Sequence, residues 1–73
     1  MDIGKNIRKI REFRDLTQGN LADLLKITQG AYSKIERGDA KLCAEKLIEI
    51  SKILNVSLDQ ICYFDEKTFF QKE

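Results

Sequence analysis

Residues 17–38, TQGNLADLLKITQGAYSKIERG, decide how the rest of this 73-residue chain is read, because they hold two helix starts about eleven residues apart. Leu16 precedes Thr17 and is answered by Leu21; Ile27 precedes Thr28 and is answered by Tyr32. Each threonine is placed to cap a helix by accepting from a backbone N–H of its first turn, while the flanking apolar pair fixes the angle of entry. Lys26 and Ile27 leave room between the helices for a tight turn only. The small Ala22 falls on the inner side of the first helix, where it lets the second cross closely. Leu21, Leu24 and Leu25 recur at one-face spacing, and Ile27, Tyr32 and Ile35 supply the facing side.

That assignment turns Gln29, Gly30, Ser33, Lys34 and Arg37 outward. A face of small, amide, hydroxyl and cationic side chains can follow the major groove of duplex DNA, where amides pair with adenine edges and cations reach guanine or phosphate. An ordinary solvated helix face is the plain alternative, since short motifs of this kind also arise by chance.

A chain of this length makes one small domain, and a hydrophobic content of 42% is enough to fill a single core. The two cysteines, Cys43 and Cys62, lack the spacing of a zinc ribbon and the density of a secreted scaffold, and there is no histidine. Both are expected to be reduced and packed, with no metal or other cofactor. No apolar run is long enough to span a bilayer and MDIGKN carries no signal-type hydrophobic segment, so a cytoplasmic protein is expected. The formal charge is only +1, but it is uneven. Residues 1–41 carry nine Lys or Arg against six Asp or Glu, and residues 42–73 carry four against six. A basic half holding the outward face, backed by an acidic half, would orient the molecule towards a polyanion.

Upstream, Ile3, Ile7 and Ile10 predict an amphipathic first helix ending near Asp15, with Arg8, Lys9, Arg11 and Arg14 on its other sides. Arg11 lies at the flank of the apolar stripe, where its stem can be buried while the guanidinium reaches a carboxylate. Glu36 is the candidate partner; two unrelated surface charges are the alternative. Downstream, Gly38 terminates the second of the paired helices. A loop over residues 39–43 offers Lys41 for a phosphate contact. Ala44, Leu47, Ile50, Ser51 and Leu54 then line one face of a fourth helix, leaving Ile48 and Ile53 off the stripe, and Asn55 marks its end. Ser57 caps a short last helix from Leu58 to about Cys62, with Leu58 and Ile61 returning to the core.

Residues 1–62 thus form the domain, and residues 63–73 form a tail holding Tyr63, Phe64, Phe69 and Phe70. Disordered tails are poor in aromatics, so this one either folds back on its own domain or packs against a second copy. Ile48, Ile53 and the four tail aromatics are the candidate dimer interface.

The runs IGKNIRKIREFRDLTQGNLADLL, SKIERG and EKLIEISKILNVSLDQI resemble the Cro/C1-type phage-repressor helix-turn-helix family, also called the XRE family, over roughly residues 3–61. The resemblance implies an all-α, compact five-helix, lambda-repressor-like DNA-binding domain whose second and third helices form the helix-turn-helix. It further implies that Gln18 contacts the DNA backbone and braces the reading helix. Thr28, Gln29, Gly30, Ser33 and Lys34 would supply base and phosphate contacts, and Arg11 would pair with Glu36. The chain departs from the family pattern at Lys26, where glycine is common in the turn; at Cys43, where a Ser or Thr cap is common; at Leu42, which replaces a proline; and at Gly30, which removes a reading side chain.

An enzyme is the reading to discard: the sequence has no histidine, no phosphate-cradling glycine loop and no cysteine beside an activating base, and Asp65 and Glu66 sit in a charged tail. The expected function is a sequence-specific, double-stranded DNA-binding transcriptional regulator, a repressor acting as a homodimer on a palindromic operator, with no small-molecule ligand and no membrane partner. With so short a chain, regulation would come from concentration, dimerisation or another protein. An antitoxin or restriction-system controller of the same fold is an alternative. So is a protein-interaction module, which the Lys-bearing outward face disfavours.

Overall fold

The computed structural model describes residues 2–64. Five helices follow in order: α1 Ile3–Phe13, α2 Gln18–Leu25, α3 Gln29–Arg37, α4 Ala44–Leu54 and α5 Leu58–Cys62. Every start is chemically marked except one. Asp2, Thr17, Thr28 and Ser57 each accept a hydrogen bond from the third backbone N–H of their helix. At α2 and α5 the side chains of Asn20 and Gln60 return a bond to complete a capping box. Cys43, before α4, makes no such bond, as expected of a thiol in a capping position.

The ends are as legible. Gly38 closes α3 at φ +80°, and Asn55 closes α4 at φ 57°; both are residue types that tolerate the left-handed region. Lys26 closes α2 at φ 60°, ψ 42°, so the turn is left-handed without glycine. Its geometry is held by Lys26 N–H to Asp23 O at 3.1 Å and Ile27 N–H to Ala22 O at 3.0 Å.

The core draws on all five helices: Ile7 and Ile10, Leu21, Ala22 and Leu25, Tyr32 and Ile35, Ile50 and Leu54, and Ile61. Two polar side chains tie the periphery to it. Arg14 donates from Nε to the Leu54 carbonyl at 2.9 Å, which satisfies the end of α4. Asn6 donates to the Ile61 carbonyl at 2.7 Å and so joins α1 to α5.

Five expectations need correction. Leu24 is 60% exposed, not in the core. Ala22 and Leu24 are two residues apart, about 200° around a helix, so burying the first turns the second to solvent. Leu58 is 40% exposed, because α5 is little more than one turn and aims only Ile61 inward. Ala44 is exposed: burial rises along its stripe from Leu47, half-buried and packed on the core, to Ile50 and Leu54, so the start of α4 stands off the core. Ile53, placed off the stripe, is half-buried and packs on the core. Cys43 is exposed rather than packed, while Cys62 is half-buried, and both are free thiols.

Ile48 is 40% exposed and Tyr63 is 72% exposed, whereas Phe64 packs against the core. Phe69 and Phe70 lie outside the described residues. No helix among those described is long and apolar enough to cross a membrane.

Candidate nucleic-acid interface

The face of α3 turned away from the core carries Gln29, Gly30, Lys34 and Arg37, all exposed, with Thr28 exposed at its start and Lys41 exposed in the loop beyond its end. A shallow cleft of about 520 Å³ runs along it, lined by Thr28, Gly30, Ala31, Ser33, Lys34, Arg37 and Ala40. Ser33 is half-buried, and its hydroxyl accepts from Arg37 Nη1 at 2.9 Å. Arg37 also pairs with Asp39, Nε to Oδ2 3.2 Å, across the end of the helix. Gly30 leaves the early part of the face flat: nothing lies within 4 Å of where a Cβ would be.

Two helix starts converge here. A Cβ placed on Gly19 would sit 3.5 Å from Gln29 Oε1 and 3.7 Å from Thr17 Oγ1, so the Gln29 amide lies back over the first turn of α2. Gln18, the first residue of α2, is half-buried and donates from Nε2 to Glu36 Oε1 at 3.0 Å.

Behind the face, Glu36 gathers a closed network. Its carboxylate accepts from Arg11 Nε at 2.6 Å, Arg11 Nη2 at 3.2 Å, Gln18 Nε2 at 3.0 Å and the Tyr32 hydroxyl at 2.5 Å. Arg11 Nη1 continues to the Leu16 carbonyl at 2.8 Å, at the residue before the α2 cap. Both ends of the ion pair are buried, with side-chain exposures of 9% and 3%. Among the described residues no buried side-chain N or O atom lacks a partner. Burial pushes the Glu36 carboxyl up, but the bonds from Arg11, Tyr32 and Gln18 and the charge of Arg11 outweigh it and hold the group below its ordinary value. Burial, then the bond to Glu36, pushes the Tyr32 hydroxyl up. Tyr32 therefore stays a neutral donor and Glu36 a charged acceptor near neutral pH.

The network joins α1 to both members of the helix pair, so the outward face is fixed from behind. One contributor has no motif to announce it. Gly4 is buried, and a Cβ there would fall 2.5 Å from the Glu36 carbonyl oxygen and 2.6 Å from that of Ile35. Only a residue without a side chain lets α1 cross the end of α3 this closely, and nothing local in the sequence marks it. No cluster of three or more His, Cys, Asp or Glu among the described residues is arranged to hold a metal ion.

A compact all-α domain with two capped helices across a tight turn and a polar face on the second defines a helix-turn-helix protein. A helix-turn-helix family model matches residues 7–61, and the chain belongs to that family, of the Cro/C1 (XRE) type. Among similar proteins, an uncharacterised HTH-type transcriptional regulator, YqaE of Bacillus subtilis, is 46% identical over 78% of this chain and 49% of its own length. The HTH-type transcriptional regulator DicA of Escherichia coli is 38% identical over 90% of this chain and 49% of its own. The cryptic phage CTXphi transcriptional repressor RstR of Vibrio cholerae is 31% identical over 85% and 55%. The chain spans about half the length of these curated relatives. No solved structure matches it.

Proposed function

We propose that this chain represses transcription by binding a palindromic operator in double-stranded DNA as a homodimer, with α3 in the major groove. The observation that carries the reading is the pairing of an exposed Gln29, Gly30, Lys34 surface with the buried Arg11–Glu36–Gln18 network directly behind it. A groove-reading helix must be rigid and polar at once, because base edges discriminate only when donors and acceptors are held in register. Gln29 and Lys34 are the base-reading candidates. Thr28, Gly30 and Ser33 lie close enough on the same face to contact bases or nearby phosphate, and Gln18, Arg37 and Lys41 flank it as phosphate contacts.

Residues 1–62 act as the binding domain in this reading. A single reading helix covers few base pairs, and two-fold pairing would set two of them about 34 to 36 Å apart, one turn of duplex. The surface of α4 and α5 with Ile48 and Tyr63 exposed supports dimerisation through the carboxyl-terminal half, with Ile53 and Phe64 beneath it. Phe69 and Phe70 would join it from the tail.

Selection of bound sequences from a random duplex library tests the reading. Enrichment of a pseudo-palindrome is the expected result; enrichment of a single half-site would remove the dimer, and no enrichment would remove sequence-specific binding. Deleting residues 63–73 should lower the mass at sedimentation equilibrium from dimer to monomer. A full-length chain already monomeric at the concentrations that bind DNA would assign the tail to its own domain.

A further inference from the structure

Beside the buried ion pair the surface opens into a notch of about 240 Å³, walled by Lys5 and Arg8 of α1, Gln18 of α2 and Arg37 at the end of α3, with Arg11 and Glu36 behind them and Glu12 at one edge. Its charges are unbalanced: four cationic side chains against two carboxylates. Glu36 is satisfied by Arg11, Tyr32 and Gln18 and is only 3% exposed, so it does not compete for anything entering the notch. The competing carboxylates are Glu12, held by Arg8 at 3.3 Å with exposures of 62% and 54%, and Asp39, held by Arg37 at 3.2 Å with exposures of 57% and 61%. Ion pairs so exposed to water contribute little and exchange readily for a stronger anion. No described residue accepts a hydrogen bond from the Lys5 ammonium within bonding distance.

We propose that this notch holds a phosphodiester group of the DNA backbone, and that Lys5 and Arg8 of α1 are its principal ligands, which extends the interface to the first helix. The inference rests on the DNA-binding reading above and adds to it a site outside the helix pair. Continuity argues for the backbone rather than for a free anion, because Arg37 lines both the notch and the cleft along α3. A duplex lying along α3 would carry its next phosphates across this edge. The guanidinium of Arg8 can bind two phosphate oxygens in parallel, while the Lys5 ammonium acts as a point charge.

The test is the salt dependence of binding to a random-sequence duplex, followed by fluorescence anisotropy between about 50 and 200 mM salt. The full chain is compared with the Lys5→Ala/Arg8→Ala double variant and with Lys46→Ala/Lys52→Ala, which removes equal charge from α4. Each phosphate contact contributes about 0.9 to the slope of log K against log salt, so the first variant should have a slope shallower by about 1 to 2 while the second keeps the wild-type slope. Glu12→Gln should tighten low-salt binding several-fold by removing the carboxylate that competes for Arg8. Matching thermal midpoints show that all variants are folded. Wild-type binding that is steep in salt, with an unchanged slope in Lys5→Ala/Arg8→Ala, overturns the notch and leaves the DNA reading standing. Absence of duplex binding by the wild-type chain overturns both. An equal loss of slope in the two double variants also overturns it, because charge alone would then account for the effect.

Discussion

Arg11 and Glu36, 25 residues apart in sequence, meet between α1 and α3 through two hydrogen bonds, Nε to Oε2 at 2.6 Å and Nη2 to Oε1 at 3.2 Å. The pair is buried yet fully partnered, which is the condition under which such a pair persists in a small core. Its position makes it a brace: α1 carries the guanidinium, α3 the carboxylate, and Gln18 of α2 bonds to the same oxygen as Arg11 Nη2. The helix pair and its support are held at one point.

Removing either partner alone should destabilise the fold by about 3 to 5 kcal/mol, because the other charge is left buried and unpaired. In a double-mutant cycle on urea unfolding with Arg11→Met and Glu36→Leu, the two losses should fall short of additive by about 1 to 3 kcal/mol. Additive losses would mean that the two side chains stabilise independently.

The same network sets the response to pH. The Glu36 carboxyl is pushed up by burial and pulled down further by Arg11, Tyr32 and Gln18, ending below its ordinary 4.5. In the unfolded chain it takes up a proton near that ordinary value, while the folded chain resists protonation. Its contribution to stability is therefore complete above 4.5 and is lost as pH falls below that value through the folded pKa. Tyr32 has the opposite sign: its pKa is raised above 10.0, the unfolded chain loses the proton first, and stability falls as pH rises past 10.0. Glu36→Gln, followed by thermal unfolding across the acid range, should show a weaker loss of stability on acidification than wild type. Identical acid slopes would contradict the assignment.

Two glycines should respond to alanine with opposite signs. Gly4→Ala drives a methyl group into the Ile35 and Glu36 carbonyls and should cost about 1 to 3 kcal/mol of stability. Gly30→Ala meets nothing within 4 Å and should gain up to about 1 kcal/mol from helix propensity. If Gly30 serves close approach to DNA, the more stable variant should bind a duplex less tightly. Unchanged binding would mean that the flat patch has no role in the interface.

Where helices begin and end was legible in the chain, because Thr17, Thr28, Ser57, Gly38 and Asn55 act through bonds or backbone angles set within a few residues. The Arg11 and Glu36 approach was also readable, from a guanidinium at the edge of an apolar stripe and from family resemblance. Burial was harder. Leu24 and Leu58 are apolar and helical, but which side of a short helix faces inward depends on the neighbours it packs against, and one or two turns give periodicity too little length to decide. Gly4 and the Arg14 cap on α4 depend on contacts between distant segments, which leave no local pattern. Arg8 read only as a cation on the outer side of α1, and Lys5 carried no reading; the notch emerges once α2 and α3 supply Gln18 and Arg37 beside them.

The most direct test of the central claim, that the exposed face of α3 reads base pairs, compares Gln29→Ala and Lys34→Ala with the wild-type chain on its selected duplex and on random duplex at one salt concentration. Each substitution should weaken the selected site by about 1 to 3 kcal/mol and leave random duplex nearly unchanged. Equal losses on both duplexes would assign these side chains to phosphate, and no loss on either would contradict the account by removing α3 from the interface.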